Sequence, residues 1–235
     1  MTGVQTCALP ILGNDNKLHI IAADGSKLNE SSSIDFKDFS ETIEEFYISK
    51  NILNIITTAS TTTMQSGSTE SDGSIIEDDI AWVDSADAKK DIYSVNRHLI
   101  TKLYTYDISD RSAPKLTGTT TQDGHYQTSR KTGDYIYLFS EYSPVLKQTR
   151  EDSTIIPKIN GINLSSSDIY IPEFLNSPAY LIITAINIKS PDTILSKKAI
   201  VSAAYLYYVS TENIYICTND WNGSTNTTQI MKFQY

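Results

Sequence analysis

Three histidines stand at His19, His98 and His125. His125 follows Asp123-Gly124, so a nearby carboxylate could orient its ring for general acid or base work. The plainer reading is a residue flanking a turn, because no nucleophile motif accompanies it. His19 alternates within a strand-like run and reads as structural, and His98 lies where a long insertion rejoins the repeat described below. Glu44 and Glu45 are adjacent on a strand-like run, so they point to opposite faces and cannot share one glycosidic oxygen. The sequence holds no G-x-S-x-G elbow, no H-E-x-x-H, no Walker loop and no G-x-G-x-x-G. Asn219-Asp220-Trp221-Asn222-Gly223 only echoes an S-x-D-x-G-x-T-W box and reads as a polar turn. Trp82 and Trp221 could stack on sugars or peptides, or pin their own loops to the scaffold.

Cation chemistry has one candidate region. Glu70, Asp72, Glu77, Asp78 and Asp79 could gather hard oxygen ligands for Ca²⁺. Their spacing does not match an EF-hand loop, so the region reads as a solvated acidic loop. Thus no catalytic, cofactor-binding or metal-ligating residue is assigned, no cofactor is expected, and an enzymatic role is less favoured than a binding one.

Composition sets the outer limits. The 235 residues carry a formal net charge of -9 with a pI near 4.8, so nothing draws the chain globally to nucleic acid or anionic membrane. No uncharged apolar run approaches the roughly 18 to 20 residues needed to cross a bilayer as a helix. Fifteen Tyr, six Phe and two Trp can fill a sizeable core. Residues 1–11, MTGVQTCALPI, resemble a translated sequencing adapter and are set aside from fold reasoning. The domain is then expected over 12–235, as a fragment of a product that began further upstream. Cys217 becomes the sole cysteine, read as a small buried hydrophobe in an apolar strand.

The elements that must position these residues are strands. Short runs rich in Ile, Tyr, Val, Thr and Phe alternate with Asp, Asn, Gly, Ser and Pro, while helical periodicity is nearly missing. One layout recurs. LHIIAAD, TKLYTYDIS, YLIITAINI and TQIMKFQY each form a strand reaching a polar position: Asp24, Asp107, Asn187 and Gln234. A later strand carries Ser49, Ser129 or Ser210, a tight turn follows at Asn51, Asp134 or Asn213, and a strongly apolar strand comes next.

The intervals between the polar ends are 83, 80 and 47 residues. The shortest fits one propeller blade of four short strands. The longer two exceed it by 36 and 33 residues, and both excesses fall at the same joint, roughly 58–99 and 143–178. Tyr135–Phe139 is apolar on both faces and so needs cover on both sides. A central strand in one blade receives that cover from the blades before and after it. The fold class expected is all-β: a partial propeller of about three four-stranded antiparallel blades with two long insertions on one face.

Leu99–Tyr142, LITKLYTYDISDRSAPKLTGTTTQDGHYQTSRKTGDYIYLFSEY, resembles the YDISD…PKL…QDG…SR…GD…YL stretch of a secreted bacterial β-propeller family distantly related to WD-repeat proteins. Ile155–Phe174 with Pro178–Ile188, and Tyr205–Ile216, resemble further stretches of it. The resemblance implies a C-terminal propeller exported to the cell surface or exterior. It carries no reaction and no catalytic residues.

Naming the strands of a blade A to D from the axis outward, the insertions become B–C loops. Antiparallel strands then place them beside the D–A corner Gln122-Asp123-Gly124-His125. The first insertion is Ser/Thr-rich and nets -5 across 58–99, from Glu70, Asp72, Glu77, Asp78, Asp79, Asp84, Asp87 and Asp91 against Lys89, Lys90 and Arg97. Elaborated loops on one side of a rigid scaffold serve binding or are variable decoration. The leading expectation is an extracellular or cell-surface binding module for a protein, peptide or glycan, with no direct membrane insertion. The alternatives are a hydrolase acting on carbohydrate or peptide at the axis through Asp123 and His125, and a structural spacer. Open sheet edges are expected near Leu18–Ala23 and Ile230–Tyr235, which would leave residues 12–235 poorly soluble.

Overall fold

The structure is a computed structural model. The structure describes residues 7–24, 27–36, 41–67, 92–144, 155–173, 175, 177–202, 204, 206–210, 212–221 and 225–234. The described chain is strand after strand: β1 Cys7–Leu12, β2 Lys17–Asp24, β3 Lys27–Asp35, β4 Glu41–Ser49, β5 Ile52–Gly67, β6 Ile92–Asp107, β7 Lys115–Asp123, β8 His125–Thr132 and β9 Tyr135–Tyr142. Then come β10 Lys158–Ile159, β11 Ile162–Asn163, a 3₁₀ turn at Ser166–Asp168, β12 Ile169–Tyr170, β13 Tyr180–Asn187, β14 Ile194–Val201, β15 Leu206–Val209, β16 Asn213–Trp221 and β17 Asn226–Gln234.

They form four sheets, ordered β1-β2-β3, β11-β10-β7-β6-β5-β4, β12-β14-β13-β9-β8 and β15-β16-β17. The expected blade is present. Strands A to D are β4 to β7 in the second sheet and β8, β9, β13, β14 in the third. The fourth sheet supplies A to C. The first supplies C and D as β2 and β3, with β1 in the B place.

Side-chain alternation along the B and C strands explains why the sheets stack. On β9, Ile136 and Leu138 meet Ile56 and Leu103 of the second blade. Tyr137 and Phe139, the intervening residues, meet Ile214, Ile216 and Met231 of the fourth. Leu53 and Ile55 of β5 turn the other way, onto Leu18, Ile20 and Ile34 of the first sheet. Each fully buried Leu, Ile or Phe contributes about 1.5–3 kcal/mol, so the core lies between sheets.

The turns behave differently from the sequence expectation in one detail. Left-handed φ falls on Lys50 (57°) and Gly133 (57°), one residue before Asn51 and Asp134. Asn51 and Asp134 instead present their carbonyls, which accept from Ile108 N (2.7 Å) and Ile188 N (2.9 Å). The polar strand ends shape the next turn: Asp107 Oδ1 accepts from Ser109 N (2.8 Å), and Asn187 Oδ1 from Lys189 N (2.9 Å). The serine-bearing hairpins are equivalent, but the serines are not. Ser49 pairs with Ile52 at the turn, whereas Ser129 pairs with Leu138, farther along its hairpin.

Three further expectations change. Residues 7–11, which the sequence reading sets aside, form β1 together with Leu12, antiparallel to β2 from Cys7↔Ala23 to Leu12↔Leu18. A ladder edge accepts almost any extended backbone, and Leu9, Ile11 and Leu12 remain exposed. The edge at Leu18–Ala23 is therefore covered. Part of the first insertion, 58–99, is ladder: β5 and β6 stay paired out to Gly67↔Ile92. The second insertion, 143–178, leaves at the expected face, but its described part folds back along the outer edges. There β10 pairs with β7 (Ile159↔Gln122), and β12 runs parallel to β14 (Ile169↔Ala199). Unpaired N–H and C=O groups on two neighbouring D strands supply the reason.

Candidate binding face

Both B–C connections and the D–A corner lie at one end of the blades. The register fixes this: Ile100 faces Asp123, and His125 faces Glu141. The corner residue is Gly124, at φ +92°. A Cβ there would sit 2.5 Å from the Glu141 carbonyl carbon and 2.8 Å from Tyr142 N, so only glycine lets β7 turn so tightly over β9. Gly124 N donates to Leu99 O (2.8 Å), and Thr101 Oγ1 donates to Gly124 O (2.9 Å).

This corner holds Asp123, which is 7% exposed. Its Oδ2 accepts from Lys158 N of the second insertion (2.8 Å), and its Oδ1 is 2.9 Å from His98 Nε2. Asp123 therefore orients His98, not His125. His98 sits within β6, opposite Thr61, and its ring meets Tyr142 edge-on at 5.6 Å. His125 is exposed and bonded to Gln127 Nε2 at 2.6 Å. Asp123 and His125 flank a positive-φ glycine and diverge; the sequence neighbourhood that suggested their pairing is broken by that turn. The missed partner, His98, is 25 residues away and carried no local signal.

Beneath the corner runs a buried polar chain. Thr184 Oγ1 donates to Gln122 Oε1 (2.6 Å), Gln122 Nε2 to Ser140 Oγ (2.8 Å), and Ser140 Oγ to Asp123 O (2.6 Å). Closer to the axis, strands A of two blades are joined at Glu45. Its Oε2 accepts from Tyr126 OH (2.5 Å) and Ser129 Oγ (2.5 Å), and Tyr47 OH lies 2.9 Å from Ser129 Oγ. Burial pushes the Tyr47 phenol up to about 12 and raises Tyr126 as well, so both are neutral hydroxyls. Glu44, the adjacent carboxylate, is exposed at the register shift between Ile43 and Glu45, where it has no partner in the β4–β5 ladder.

The remaining candidates are structural or lie elsewhere. His19 lies 3.2 Å from both Asp15 and Glu30, and hydrogen bonds to them raise its pKa. Glu41 accepts from Thr57 (2.6 Å), Tyr104 (2.8 Å) and Lys102 (2.9 Å). Burial alone would raise the Glu41 pKa, but those donors together hold it below the ordinary value. Cys217 is half-buried rather than buried, because Ile214 and Ile216 take the core-facing parity of β16. Asn219, Asp220 and Trp221 belong to β16 rather than to the polar turn expected at 219–223, and residues 222–224 lie outside the described residues. Glu70, Asp72, Glu77, Asp78, Asp79 and Trp82 also lie outside them. Among the described residues no group of three His, Cys, Asp or Glu could hold a metal ion, and no helix is long and apolar enough to cross a membrane.

Radially ordered four-stranded sheets that share cores with the sheet before and after define a propeller array. The chain belongs to the β-propeller family: the family model described as "Beta propeller domain" matches residues 7–235. No curated protein and no solved structure matches the chain. Propeller membership points to a binding or interaction module.

Proposed function

We propose that this chain is an exported or cell-surface binding module that engages a protein, peptide or glycan on the face carrying the insertions. The observation that supports this reading is the corner at Gly124. It fixes Asp123 and His98 against a segment of one insertion at the root of the other. A loop merely decorating the rim needs no such anchoring; a recognition surface does. Export and a bacterial, WD-repeat-related lineage come from the sequence resemblance alone. The test is peptide- and glycan-array binding by the chain, alongside His98→Ala and Asp123→Ala. Specific ligands lost in both variants support the proposal, and blank arrays refute it.

A hydrolase remains a second reading, because a carboxylate holding one imidazole nitrogen is how many general bases are oriented. Among the described residues no serine, threonine or cysteine side chain bonds to the His98 ring, which favours binding. Hydrolysis of a peptide or glycoside substrate that His98→Ala abolishes would reverse the preference.

A further inference from the structure

We propose that the two axis-lining strands β4 and β8 carry a subsite for a neutral, hydroxyl-rich glycan, read by Glu44, His125 and Gln127. The proposal rests on the binding reading above and names the ligand class for the axial part of the same face.

The repeat marks the place. β4 is bulged between Ile43↔Thr57 and Glu45↔Ile56, and β8 between Tyr126↔Ser140 and Thr128↔Phe139. Thr57 and Ser140 stand the same distance past the turn positions Asn51 and Asp134, so the two bulges are equivalent. Each adds one polar residue, Glu44 or Gln127, that has no partner in its ladder. Among the described residues, β4 and β8 pair with no strand on their axial side. A bulge on such a strand re-aims a side chain and interrupts regular pairing. The bulges also lie side by side. Glu45 Oε2 accepts from Tyr126 OH and Ser129 Oγ (both 2.5 Å), and Glu44 and Gln127 are the chain neighbours of Glu45 and Tyr126. Those bonds fix the spacing of the two strands before any ligand arrives.

The side chains define the ligand. The Glu44 carboxylate is exposed, has no bonding partner among the described residues, and can only accept when ionised. Gln127 Nε2 lies 2.6 Å from the Nε2 of the exposed His125. The amide donates there, so the neutral ring keeps its proton on Nδ1 and presents a donor, while Gln127 Oε1 presents an acceptor. Turning the amide over exchanges these roles and still leaves one donor and one acceptor. A hydroxyl both donates and accepts, so vicinal sugar hydroxyls answer all three side chains. An ammonium offers nothing to the imidazole N–H. A peptide strand fits poorly, because a bulged edge cannot template a continuous ladder. The first insertion is rooted at the same end and nets -5, which repels phosphates and uronates and selects a neutral sugar.

The experiment titrates the full chain with maltohexaose, cellohexaose and mannohexaose, and with oligogalacturonate as the anionic comparison, by saturation-transfer NMR and calorimetry. At least one neutral oligosaccharide should bind saturably, and oligogalacturonate should not. Glu44→Gln removes a charged acceptor and Gln127→Ala releases the His125 ring, so each should weaken binding about tenfold or more. Leu116→Ala, exposed on the outer rim, should leave it unchanged, and far-UV dichroism checks that every variant folds. The proposal is overturned if no neutral oligosaccharide binds, if oligogalacturonate binds equally, or if Glu44→Gln and Gln127→Ala bind as the parent does. A peptide ligand lost in His98→Ala, with no oligosaccharide bound, would keep the binding face and remove this subsite. Blank arrays together with blank titrations would remove both.

Discussion

Replacing Gly124 with alanine tests whether the corner is as tight as its geometry states. Two costs combine. An L residue in a left-handed conformation costs roughly 1–2 kcal/mol. The new Cβ would also press on the Glu141 carbonyl and Tyr142 N, which are backbone atoms that no rotamer change can move aside. Overpacking of that kind costs about 1–3 kcal/mol, giving roughly 2–5 kcal/mol together. Gly133→Ala supplies the control, since Gly133 also has positive φ, +57°, but nothing lies within 4 Å of its Cβ position. It bears only the conformational cost, about 1 kcal/mol. At about 2–4 °C per kcal/mol for a chain of this size, Gly124→Ala should lower Tm by several degrees more than Gly133→Ala. Thermal melts and urea titrations of both variants measure the difference. Equal losses would refute the argument that backbone contact, rather than φ, makes this glycine necessary.

Phe139→Ala should cost about 3–5 kcal/mol by urea unfolding, because Phe139 is fully buried between two blades, while Leu195→Ala on the exposed rim should stay within about 0.5. Asp123→Ala removes the acceptor for Lys158 N and His98, so limited proteolysis within 155–173 should accelerate severalfold while far-UV dichroism is kept. The Glu41 pKa is lowered on folding, so its contribution is present above the ordinary value of 4.5 and is lost as pH falls through the folded value. Glu41→Gln should accordingly flatten the acid limb of stability, read as the urea midpoint against pH. An unchanged acid limb would show that the three donors do not favour the charged carboxyl.

The blade repeat was legible because it is written in local physics. An apolar run such as Tyr135–Phe139 must be covered on both faces, and period-two alternation then divides it between two neighbours. The insertion joints were expected from spacing alone, and β5 and β6 stay paired well past the first of them. What escaped was non-local pairing. Asp123 meets His98 because β6 and β7 align Ile100 with Asp123 and the insertion returns just before that point, a register that no neighbouring residue announces. Cys217 was misjudged by a single step of parity. β1 escaped for another reason: an open ladder edge recruits backbone, and side-chain pattern says little about which backbone arrives.

The carbonyls of Asn51 and Asp134, each accepting from the residue just past a C strand, clasp one rim of two successive blades. That rim is latched by main-chain bonds which side-chain replacement leaves intact. The opposite rim carries both lengthened connections, and there Gly124 N donates to Leu99 O. Diversification can thus proceed on one side of the disc without loosening the other. For engineering, foreign loops belong at the B–C joints, with the latched rim kept as the fixed handle by which the domain is immobilised or fused.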